Sequence, residues 1–97
     1  MKRNILPLTF RVLHFLSTVK DASVEHLMQE LKAEYGSEKQ FRKKNVSNIL
    51  ISMKENGLID DSNAELDKNG ELSISYRINE EGSRLLRKYL PREWQTA

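Results

Sequence analysis

Between residues 45 and 59 the chain reads "NVSNILISMKENGLI", and residues 71 to 78 read "ELSISYRI". In the first stretch Val46, Ile49, Leu50 and Met53 recur at helical spacing, the last three within about 60° of Val46 around a helix. In the second, Leu72, Ile74, Tyr76 and Ile78 alternate with Ser73, Ser75 and Arg77, the two-residue period of a half-buried strand. A change of period over so short a span puts a helix and a hairpin onto one shared core. Asn45 is the expected N-cap of that helix and Gly57 its end. Leu58 and Ile59 open the partner strand, which lies within residues 58–66, and Asn69-Gly70 is the turn signal between the strands.

The flanking segments supply three more helices. The first starts near Pro7, which tolerates a first helical turn because its missing N–H would have no partner there. Leu8, Val12, Phe15, Leu16 and Val19 form one apolar stripe on it, and Leu6, Phe10 and Leu13 a second. A surface helix needs only one stripe, so two imply burial on both sides, within the chain or in a dimer. The second helix spans about Ser23 to Tyr35, with Ser23 or Asp21 as cap, Val24, Leu27, Met28 and Leu31 inward, and Gly36 ending it in a left-handed conformation. Residues 37–45 form a polar, basic link in which Ser37 and Gln40 fit a capping box. Asn79 caps the last helix, Leu85, Leu86, Tyr89 and Leu90 line it, and Pro91 stops it ahead of a tail over 91–97. The class is α+β, mostly α, and the domain is single, residues 1–97 with a core over about 8–90.

Charge is blocked along the chain. Residues 37–57 hold five bases against two acids, residues 58–82 seven acids against two bases, and residues 83–97 four bases against one acid. Cysteine is absent, which excludes disulfides and thiolate metal sites and agrees with a reducing, cytoplasmic setting. Arg11 and His14 break the apolar run of the N-terminal "MKRNILPLTFRVLHFL", which is neither a signal peptide nor a membrane span.

The capped helix ending in Gly-Leu-Ile resembles the recognition helix and following strand of the MarR and PadR groups of bacterial regulators. "YRINEEGSRLL", residues 76–86, resembles the strand-to-helix step of the same groups. The resemblance covers about residues 8–90 and implies a winged helix-turn-helix: three helices, a two-stranded hairpin as the wing, and a C-terminal helix. The chain departs from the pattern twice. Its link between the second and third helices is longer, and its wing is acidic, with Lys68 the one base near the tip.

No catalytic constellation is legible. His14 and His26 lie on different helices without ligand spacing, Asp60 and Asp61 point to opposite faces of a strand, and no Gly-rich phosphate loop occurs. The expectation is therefore a non-enzymatic protein without cofactor or metal. A nucleic-acid interface is legible on the outer face of the third helix. There Ser47, Asn48 and Ile51 face away from the core, Asn suits an adenine edge, and an apolar side chain suits a thymine methyl. Lys39, Arg42, Lys43 and Lys44 at one end, with Lys54 and Lys68, would neutralise phosphates.

The preferred reading is a small sequence-specific regulator of transcription that binds double-stranded DNA with its third helix in the major groove. It would act as a homodimer through Leu6, Phe10, Leu13, Tyr89 and Trp94. Covering of that same stripe by the last helix of one chain is the alternative. Two competing functions are a protein-interaction module that docks a basic partner on the acidic hairpin, and a plasmid or phage replication or recombination accessory.

Overall fold

A computed structural model describes residues 6–95. Its elements run α1 (Leu8–Thr18), β1 (Ala22–Ser23), α2 (Val24–Tyr35), α3 (Lys43–Glu55), β2 (Ile59–Leu66), β3 (Leu72–Ile78), α4 (Glu80–Tyr89) and α5 (Arg92–Gln95). This is a mostly helical α+β winged helix. Residues 1–5 of the N-terminal stretch and residues 96–97 of the expected tail lie outside the described residues. None of the described helices is long and apolar enough to cross a membrane.

The helical period of α3 survives intact: Val46, Leu50 and Met53 are buried and Ile49 packs against the same core. Its end is a paired cap. Gly57 takes φ +77°, its N–H bonds Lys54 O at 3.0 Å, and the Leu58 N–H bonds Met53 O at 2.9 Å. That geometry satisfies two otherwise orphaned carbonyls and delivers Leu58 and Ile59 to the sheet. Ile59 is wholly buried there. The start of α3 differs from expectation. The helix begins at Lys43, so Asn45 lies inside its first turn and is no cap; its side-chain N–H donates to Gln40 O at 2.7 Å.

Three strands pair, not two. β3 lies in the middle of the order β1-β3-β2, with Ala22 opposite Tyr76 and Ser23 opposite Ser75 on one side. On the other, β2 runs antiparallel from Ile59 opposite Ile78 to Leu66 opposite Leu72, with a bulge between Asp61 and Asn63. Asp67 organises the hairpin end: its Oδ1 accepts from the Asn69 and Glu71 N–H groups at 2.8 and 2.9 Å.

Ser23 caps α2 by accepting from the His26 N–H at 3.2 Å. Gly36, expected in the left-handed region, is right-handed at φ −58°. The chain leaves α2 through a series of turns over residues 36–42, and Phe41 stacks on Tyr35 with ring centroids 6.4 Å apart. The Tyr35 hydroxyl donates to Leu6 O, which fastens the chain ahead of α1. At the start of α4, Asn79 accepts from the Gly82 N–H at 3.0 Å and donates to Gly57 O at 2.9 Å, so one side chain caps α4 and ties it to the end of α3. Gly82 is required by close approach: a Cβ there would sit 2.3 Å from Leu58 O.

The second stripe of α1 is closed within the chain. Leu6, Leu13 and Trp94 are all buried and Phe10 packs against the core, while Tyr89 is 59% exposed. The segment after Pro91 is a short helix, α5, and not a loose tail. It carries Trp94 onto α1, with its ring edge-on to His14 at 5.1 Å and under the Arg11 guanidinium at 5.3 Å. Arg11 in turn forks onto Glu34 of α2 at 2.8 to 3.2 Å. α5 folds back onto α1, which a Pro stop in the sequence conceals. A buried Leu, Val or Ile is worth about 1.5–3 kcal/mol relative to exposure, and exposed ion pairs far less. The core therefore decides the fold and leaves the surface charges for other work.

Candidate nucleic-acid interface

The start of α3 goes against the electrostatics of its own helix. Arg42 stands at the N-cap without a side-chain cap bond, Lys43 and Lys44 follow, and no acid occurs in the first turn. The N-terminus of a helix carries partial positive charge and free N–H groups. Three cations piled on that end raise the potential further, and an anion placed there relieves it.

The expected interface residues divide into two sets around α3. Lys39, Arg42, Lys44 and Asn48, with Gln40 and Asn45, surround one open hollow of about 300 Å³. The first four are exposed. Lys43, Ser47 and Ile51 face the other way, into a hollow of about 240 Å³ between α3 and the wing that Glu25, Asp67 and Glu71 also line. Ile51 is 48% exposed and does not join the core.

Two of the expected phosphate contacts already have partners. Lys43 Nζ lies 2.8 Å from Glu25 Oε2, and Lys54 Nζ lies 2.7 Å from Asp61 Oδ2. The hydrogen bond from Lys43 holds the Glu25 carboxyl below its ordinary value, partly opposed by burial and helped by Ser73. The same bond raises the Lys43 ammonium above its ordinary value, and Asp61 does likewise for Lys54. Sequence reasoning missed both pairs. Glu25 lies on another helix, and Asp61 reaches Lys54 only because the paired cap turns β2 back along α3.

Lys68 sits exposed at the tip of the hairpin, between Asp67 and Glu71 in the chain. The wing therefore offers a duplex little positive charge. Asp60 and Asp61 do not gather as ligands, since Asp61 is committed to Lys54; among the described residues no three His, Asp or Glu side chains group to hold a metal.

No protein-family model matches the chain, and no curated protein is similar enough to serve as a relative. Among solved structures, one of a candidate transcriptional regulator from Thermoplasma acidophilum is similar over 86% of this chain and 76% of its own, with a TM-score of 0.66 and 18% identity. At that identity the likeness is one of fold.

Proposed function

We propose that residues 1–97 form one winged-helix unit that works in the cytoplasm as a sequence-specific transcriptional regulator, binding duplex DNA through α3. The observation that carries this reading is the concentration of Lys39, Arg42 and Lys44 around the uncapped start of α3, beside the exposed amide of Asn48. The T. acidophilum protein supports it at the level of fold, and the resemblance of residues 45–59 and 76–86 to the MarR and PadR groups points the same way.

In this reading the first turn of α3 anchors phosphates, Asn48 addresses a base edge from the next turn, and Ser47 and Ile51 lie alongside. The acidic wing stays off the backbone. The protein needs no cofactor and catalyses no reaction. Reading two half-sites calls for a second copy. With Leu6, Leu13 and Trp94 spent inside the chain, Tyr89 and the edge of Phe10 are what remain for such a homodimer.

Selection of bound sequences from a random duplex pool tests the reading, followed by binding to the selected site. Asn48→Ala is expected to cost about 1–3 kcal/mol on that site and little on unrelated DNA. Failure to enrich any sequence, or an Arg42→Ala, Lys44→Ala protein that binds as tightly as wild type, overturns it.

A further inference from the structure

The wing's inner face stays apolar beyond the point where the core covers it. Leu66 and Leu72 are directly opposite in the hairpin, so their side chains share a face, and they are 70% and 65% exposed. Leu72 and Ile74 line the furrow between the wing and α3, with Ile51 from α3 across it. Around this apolar floor stand Glu25, Asp67 and Glu71. Phosphates would meet carboxylates there, so the furrow is a poor continuation of the DNA surface. At about 240 Å³ it also falls below the roughly 300–1,000 Å³ of small-molecule pockets. It fits a side-chain anchor.

The chain already shows which charge the furrow takes. Its own Lys43 reaches in and pairs with Glu25, and the fields of Glu71 and Asp67 also favour the ammonium. We propose that the furrow between α3 and the wing is a docking site for a partner protein's segment in which an aliphatic side chain is flanked by Lys or Arg. The aliphatic group rests on Ile51, Leu72 and Ile74, and the flanking cations meet Glu71 and Asp67 as Lys43 meets Glu25. Duplex DNA does not supply that combination.

The test uses the whole chain without DNA, and fluorescence anisotropy of three labelled peptides: Leu flanked by Lys and Arg, the same with Ser for Leu, and the same with Glu for the bases. The first is expected to bind saturably, the second at least about tenfold more weakly, and the third not at all. Leu72→Ser with Glu71→Gln is expected to weaken the first peptide by at least about tenfold. Both positions are exposed, and Ile51→Ser, also exposed, gives an independent check should the double variant melt early. Equal binding of the Leu and Ser peptides, or indifference to these substitutions, overturns the proposal. So does a loss of duplex binding in the Leu72 and Glu71 variant, which would make the wing a DNA contact. Arg42→Ala with Lys44→Ala leaves peptide binding intact, so this test stands or falls apart from the DNA reading.

Discussion

Glu25 accepts from Lys43 through one carboxylate oxygen and from the Ser73 hydroxyl through the other, at 2.8 and 2.9 Å, and so joins α2 to α3 and β3. Its carboxyl is held low chiefly by Lys43. A depressed carboxyl contributes stability that is fully present above its ordinary value of 4.5 and is lost as pH falls through the lowered one. The raised Lys43 works in the opposite sense, contributing below 10.5 and losing that contribution as pH rises past it. Both groups are exposed, so salt screens the effect and its amplitude is small. In a melting series against pH, Glu25→Gln is expected to flatten the acid-side fall. The same variant releases Lys43 towards phosphate. Its salt slope of log K is expected to steepen by about 0.9, the value for one added phosphate contact. An unchanged slope would show that Lys43 never reaches the backbone.

At the scale of elements, on the proposed reading, the start of α3 sets local stability against binding. Lys44 opposes the helix's positive end while remaining exposed. Lys44→Glu is expected to raise stability by about 0.3–1 kcal/mol by complementing the helix end. It should also weaken binding to every duplex alike, which a thermal melt and a salt titration measure together. A Lys44→Glu protein less stable than wild type would mean that the charge is not what strains this turn. Such local conflict is where sequence reading stops short. The stripe of Val46, Leu50 and Met53, the Asn79 cap and the Gly57 stop were all legible because each depends on neighbours a few residues away. Asn45 was misread because its amide serves Gln40, and only the turns of the link bring the two together. Ala22 and Ser23 give no strand signal of their own; their pairing depends on β3, far along the chain. The candidate interface residues follow from type and spacing, but their division into a basic hollow and an acidic furrow does not. That division depends on where Glu25 and the hairpin arrive in space.

Over the whole molecule, α5 decides how the α1 surface is used. Trp94 closes over Arg11 and His14, above the fork that joins Arg11 to Glu34. Trp94→Ala is therefore expected to cost about 3 kcal/mol, the lower end for a core Trp because this one lies at the rim. That loss lowers the melting temperature by more than about 10 °C. The fall should not depend on protein concentration; a concentration-dependent one would return Trp94 to a contact between copies. The two sides of α3 bear on events before any contact forms. On the proposed DNA-binding reading, the molecule, with cations gathered at the start of α3 and carboxylates on the wing beyond, would be turned by the field of a duplex during approach. Encounters turned the wrong way would then be pushed off by the wing, and those that persist would arrive α3 first. Changing two exposed carboxylates of the wing, Glu65 near the end of β2 and Glu71 just ahead of β3, to Lys is expected to abolish that orientation. In stopped-flow mixing, capture by random DNA should quicken while residence on the preferred site shortens, because the molecule would then land on the wing as readily as on the helix that reads.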